Sequence, residues 1–165
     1  GHEVAAACAH FGHDIKTYVY FFDNQWVLGA LVSGTPGNLN AELREPLKAA
    51  EPVDDEMLGR MALDALLRFE SRRVPSLTAA KQSDWPTFQA SGARSVRAFQ
   101  EHTVQVLIES VNGASLRLEA TALSPPDGRF AVRAYVSISA THSEIGALLR
   151  KLIAAANCLK SNGMM

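Results

Sequence analysis

Four groups of residues have types and spacings that could do chemistry. Cys8, His10 and His13 lie close together near the start of the chain and are zinc-ligand types. Zinc needs three or four ligands on ordered backbone, and this alanine-rich segment is expected to be flexible, so no metal site is assigned there. Arg97, Arg117, Arg129, Arg133 and Tyr135 recur at alternate positions of strand-like runs, interleaved with Glu101, Glu109 and Glu119. Two readings fit that pattern. One is cross-strand charge pairing on a solvated sheet; the other is a basic, partly aromatic face on which single-stranded nucleic acid stacks between phosphate contacts. Trp26 and Trp85 are candidate protein-contact anchors, with Trp26 better suited to the core. Glu51, Asp54, Asp55 and Glu56 could present a negative patch to a basic partner, although acidic residues at a helix start also answer to its dipole.

Phosphate-loop, dinucleotide, EF-hand, nucleophile-elbow and C-x-x-C patterns are absent. No catalytic residue and no cofactor is assigned, and the chain reads as a binding protein rather than an enzyme. The candidate partner contacts are Asp54, Asp55, Glu56, Trp85, Arg117, Arg133 and Tyr135.

The elements that must position these residues follow from periodicity. Residues 15–22 and 25–32 are strand-like runs around Asp23-Asn24, a hairpin signature. Asn38 or Asn40 could cap a short helix through Leu43 and Leu47, limited by Pro46. A longer helix starts at Asp54-Asp55 and buries Leu58, Met61, Ala62, Ala65, Leu66 and Phe69; Glu56, Arg60, Asp64 and Arg68 form an exposed charge ladder. Ser83 or Asp84 is expected to cap a short helix with Pro86 in its first turn. Strands then run from Ser95 to Glu101, Thr103 to Val111, Ser115 to Leu123 and Arg129 to Ser139. Asn112-Gly113 and the Ser124–Gly128 stretch supply the turns, and Phe130, Val132, Ala134, Val136 and Ile138 share one face. Thr141 and Glu144 have capping-box spacing before a last helix that ends near Asn162-Gly163.

The expected fold is therefore α+β: a central twisted antiparallel sheet of about five or six strands, with three or four helices packed on it. The sheet combines an N-terminal hairpin with a C-terminal meander. Residues 1–13 are expected to be a tag scar and flexible lead-in, because Gly1-His2-Glu3-Val4 lacks an initiator Met; residues 14–165 form one domain.

Composition bounds the function. With 47% hydrophobic and 20% charged residues the chain is an ordinary globular protein, and its formal charge of −1 gives no general pull towards phosphate. Two cysteines, Cys8 and Cys158, do not make a disulfide framework and fit a reducing cytoplasm, although a bridge between them stays open. No apolar run reaches the roughly 20 residues of a membrane span.

Several segments together resemble the immunity proteins of bacterial contact-dependent growth inhibition systems. They are the opening strand Asp14 to Val19, the helix stretch Leu58 to Leu67, Val74-Pro75, and Leu77 to Phe88 with its Trp85-Pro86-Thr87-Phe88 end. The likeness runs from about Asp14 to the last helix, and its motifs are diffuse. It implies a cytoplasmic antitoxin with a helix-bearing antiparallel sheet. Such a protein binds one cognate toxin domain, often a nuclease, and occludes its active site; acceptance of a toxin β-hairpin is one mode in this family. The resemblance transfers no individual residue. The alternative function is single-stranded nucleic-acid binding on the basic sheet face.

Overall fold

The computed structural model describes residues 1–29, 31–34, 39–42, 45–71, 81–123 and 130–165. A six-stranded antiparallel sheet forms its centre, in the order β5-β2-β1-β7-β8-β9. The strands are β1 (Lys16–Phe22), β2 (Gln25–Gly29), β5 (Leu47–Ala50), β7 (Val104–Val111), β8 (Ser115–Ala122) and β9 (Val132–Ser137). A smaller sheet, β4-β3-β6, joins β3 (Leu31–Gly34), β4 (Leu39–Glu42) and the two-residue β6 (Glu70–Ser71). The helices are α1 (His2–Phe11), α2 (Asp55–Leu67), α3 (Pro86–Ser91), α4 (Val96–His102) and α5 (His142–Ser161). The α+β class, the N-terminal hairpin and the C-terminal meander agree with expectation; among the described residues there are five helices, beside the three or four expected.

Both tight turns sit where their residues allow. Asp23 and Asn24 have φ of 48° and 56°, and Asn112 and Gly113 have 52° and 63°. Two successive positive φ values match the right-handed twist of a two-residue hairpin. Burial then alternates strictly along β7 and β8, so one face of the sheet is apolar. That face carries Val19, Trp26, Leu28, Val106, Ile108, Leu116 and Leu118, all buried with Leu58, Leu66, Ile145 and Leu149 of α2 and α5.

The two core helices begin on side-chain caps. Asp54 accepts from the Met57 N–H at 2.7 Å, and Thr141 and Glu144 complete a reciprocal capping box on α5. Where α2 and α5 meet, both present glycine. A Cβ on Gly59 would lie 1.8 Å from the His142 carbonyl oxygen, and one on Gly146 1.9 Å from that of Asp55. The backbones thus touch where any side chain would hold them apart. Arg150 of α5 then ties the loop before α2, donating to Glu51, to Asp55 (2.6 Å) and to the Val53 carbonyl, with its guanidinium 5.7 Å from the Trp26 ring centre.

Five sequence expectations are corrected. Residues 2–11 form a helix, because Val4, Ala7, Cys8 and Phe11 share a face at helical spacing; Val4 is buried and Phe11 meets Phe69 edge-on at 5.3 Å. The short helix proposed after Asn38 is replaced by β4 and β5, whose Leu47 and Ala49 alternate towards the core. The strand expected over residues 95–101 is α4: Ser95 caps it by accepting from the Ala98 N–H, and Phe99 alone supplies its buried anchor. In the ladder on α2, Arg60 pairs with Glu56, but Arg68 donates to the Glu45 carbonyl instead. The cap expected at Ser83 or Asp84 falls at Trp85, with Pro86 first in the helix. The expected Val74-Pro75 connection, the Leu77–Ala80 part of the resemblance, the Ser124–Gly128 turn and Arg129 lie outside the described residues.

Candidate protein-binding face

The second face of the sheet is where the chain's less ordinary side chains gather. Near β1 and β2 it is covered. Tyr20, Val27 and Phe99 are buried there, with Tyr18, Phe22, Trp85 and Phe88 packed against them. The Trp85 and Tyr20 rings meet Phe99 at 5.1 Å and 6.0 Å. At the centre of this aromatic layer sits one carboxylate, Glu42 of β4. Its Oε1 accepts from the Tyr20 hydroxyl (2.8 Å), and its Oε2 accepts from the Trp85 indole N–H (2.9 Å) and from the backbone and side chain of Thr87. Gly29 lies beneath: a Cβ there would come 2.9 Å from Oε1. Burial pushes the Glu42 carboxyl above its ordinary value, even though its hydrogen bonds pull the other way. Burial, then the Glu42 charge, also pushes Tyr20 well above and Tyr18 above the usual phenol range.

Towards β9 the same face opens. Cross-strand neighbours run Gly29–Tyr18–Leu107–Glu119–Arg133, and in the adjacent row Lys16–Glu109–Arg117–Tyr135. The half-buried Tyr18 and Leu107 form an apolar step between the covered and open halves. Beyond them Arg117 pairs with Glu109, and Arg133 with Glu119 at 2.6 Å. Tyr135 is the most exposed large apolar side chain among the described residues, at 61%. The open half thus offers an apolar step, Tyr18 and Leu107, with charged pairs and the Tyr135 ring around it, an arrangement of the kind found in protein interfaces.

Three of the expected contacts, Arg117, Arg133 and Tyr135, therefore converge on one surface. Trp85 lies on the same face but is half-buried and bound to Glu42, so its part is to hold the covered half in place. Asp54, Asp55 and Glu56 do not join them: Asp54 caps α2, Asp55 holds Arg150, and Glu56 pairs with Arg60. Arg97 is not on the sheet either; it pairs with Glu101 along α4. Tyr18, Leu107 and Glu42 were not singled out from sequence. The alternation of Gln105, Leu107 and Glu109 was a signal for Leu107; nothing local signals Glu42, whose partners lie far along the chain. Of the residues near the start, Cys8 donates its thiol to Ser110 at 3.1 Å, and the His13 ring packs on Phe11 and Phe69. Cys8 and Cys158 are both free.

No family model matches the chain, and no curated protein matches its sequence significantly. Among the described residues no helix is long and apolar enough to cross a membrane. Solved structures are similar in fold. A Neisseria meningitidis protein of unknown function superposes with a TM-score of 0.66 at 17% identity, covering 87% of this chain and 96% of that one. A chain of the CdiA-CT/CdiI toxin and immunity complex from Yersinia pseudotuberculosis superposes with a TM-score of 0.62 at 16% identity, covering 86% and 96%. At these identities the likeness is one of fold, and the chain shares that fold with a member of a toxin and immunity complex.

Proposed function

We propose that this chain is an immunity protein: it binds a cognate toxin domain of a contact-dependent growth inhibition system in the bacterial cytoplasm and neutralises it. The observation that carries the proposal is the shared fold with a chain of the Yersinia pseudotuberculosis toxin and immunity complex over nearly the whole of that chain. The open sheet face adds a place for the toxin, with Tyr135, Arg117 and Arg133 at its rim. The motif-poor sequence is in keeping with the reading, since an inhibitor needs shape, charge complementarity and a few anchors rather than reactive groups. A nuclease is the toxin class that the family resemblance implies. Among the described residues, Arg97, Arg117 and Arg133, named for a nucleic-acid surface, each pair with a carboxylate, which speaks for the protein partner.

The test is a growth experiment. The toxin domain encoded beside this gene is induced in cells with and without this chain. Survival that depends on the chain supports the proposal; equal killing in both strains overturns it.

A further inference from the structure

The open end of the sheet is not electrically even-handed, although its pairs look balanced. In the Arg133–Glu119 pair the cation is clearly the more exposed partner, whereas Arg117 and Glu109 are nearly level and the Arg117 Nε is buried. The Arg133 side chain is 50% exposed against 22% for Glu119, and Arg117 is 31% exposed against 26% for Glu109. Lys16, next to Glu109 on β1, adds a third cation to the same face. An approaching partner therefore meets the Arg133 N–H donors before the Glu119 carboxylate, with the Tyr18–Leu107 step further along the same row.

We infer that this face receives an acidic protein surface with an apolar centre, a site on the toxin separate from any phosphate-binding channel. The inference rests on the immunity reading and sharpens it. A nuclease channel is lined with cations to hold phosphates, and a guanidinium-faced surface would be repelled from it, since like charges brought together in an interface weaken binding. A carboxylate arriving beside Arg133 would extend the row Glu119–Arg133 by the next opposite charge, as cross-strand pairs favour. The Tyr135 ring gives that contact an amphipathic anchor of the kind that dominates interface energetics. Nucleic acid is the weaker occupant, because single strands stack successive bases on aromatic rings and, among the described residues, Tyr135 is the well-exposed ring of this face.

The experiment uses the whole chain and the neighbouring toxin domain, with binding followed by surface plasmon resonance across a salt series. The variants are Arg133→Glu, Arg133→Ala and Tyr135→Ala; circular dichroism checks their folding, and the alanine variants guard against strain from a new Glu–Glu pair. Lys151→Glu on the exposed side of α5 is the control. A labelled single-stranded oligonucleotide serves as a second ligand for the chain and as a reporter of the toxin's own nucleic-acid binding. The expected result is at least about tenfold weaker toxin binding for Arg133→Glu and Tyr135→Ala. Association should slow as salt rises, and the oligonucleotide should still bind the toxin inside the complex. Wild-type affinity in all three face variants overturns the inference and leaves the immunity reading standing. So does loss of oligonucleotide binding to the toxin on complex formation, for the exosite part. A wild-type chain that binds no toxin removes both, and retention of the oligonucleotide by the chain itself at about 0.15 M salt, lost in Arg133→Ala, replaces the protein partner with nucleic acid.

Discussion

Replacing Gly146 by alanine adds one methyl group where α5 touches α2. That carbon would sit 1.9 Å from the Asp55 carbonyl oxygen and 2.7 Å from its carbon. Ordinary contact begins near 3.5 Å, so the helices must part by roughly 1.5 Å, and backbone offers no side-chain rotation to absorb the change. Parting them loosens Leu58, Ala62, Ile145 and Leu149, all fully buried at the same seam. Overpacking of this kind costs about 1–3 kcal/mol, with loosened core contacts added to it, while alanine recovers about 1 kcal/mol of helix propensity over glycine. The net expectation is about 2–3 kcal/mol of destabilisation, a fall in melting temperature of roughly 5–10 °C for a chain of this size. Gly59→Ala should cost a similar amount, since its added carbon meets the His142 carbonyl across the same crossing. The double variant should cost clearly less than the two together, because helices already parted for one methyl have room for the other. Urea unfolding of the three variants reads all of this, provided the slope with denaturant is unchanged. Single variants within about 0.5 kcal/mol of the parent, or strict additivity, would refute the close-contact argument.

Two other predictions concern the carboxylates. Glu42→Ala leaves the Tyr20 hydroxyl, the Trp85 indole N–H and both Thr87 donors without their acceptor, and should destabilise by at least about 3 kcal/mol at ~1–3 kcal/mol per buried donor. Glu42→Gln, which keeps one acceptor oxygen and can donate to Tyr20, should cost less than half as much; equal costs in thermal denaturation would show that the hub is not held by acceptance. Glu51 works in the opposite pH sense from Glu42. Burial opposes its charge, but hydrogen bonds from Arg150 and Trp26 hold its carboxyl below the ordinary 4.5. Its contribution is therefore complete above about pH 4.5 and is lost as pH falls below that through the folded value. Glu42, raised when folded, contributes stability as the solution turns acid. Arg150→Met should flatten the acid loss of stability and Glu42→Gln the acid gain; unchanged pH profiles in both would contradict the assignments.

Much of this fold can be read residue by residue. Asp23-Asn24 and Asn112-Gly113 announce their turns because few residues tolerate positive φ. Thr141 and Glu144 announce a helix start because the capping box is local. The failures share a cause. Ser95 to His102 offers one apolar anchor, Phe99, and a pattern that short does not separate period two from 3.6. The segment of α1 reads as a frayed end because it is alanine-rich, and only the packing of Val4 and Phe11 gives the helix weight. The site divides along the same line. Arg117, Arg133 and Tyr135 were legible as one face because strand alternation fixes it. Glu42 was not, since Tyr20, Trp85 and Thr87 reach it from 22, 43 and 45 residues away. The acidic residues at α2 looked like a patch in sequence and are engaged by Arg150, by Arg60 and by the helix end.

The most direct test of the immunity reading is a calorimetric titration of the purified chain into the toxin domain encoded beside it. The account predicts saturable one-to-one binding in the nanomolar range typical of standard-size specific interfaces, with toxin activity lost in proportion to the complex formed. No heat of binding, or a saturated complex with the toxin fully active, would contradict it.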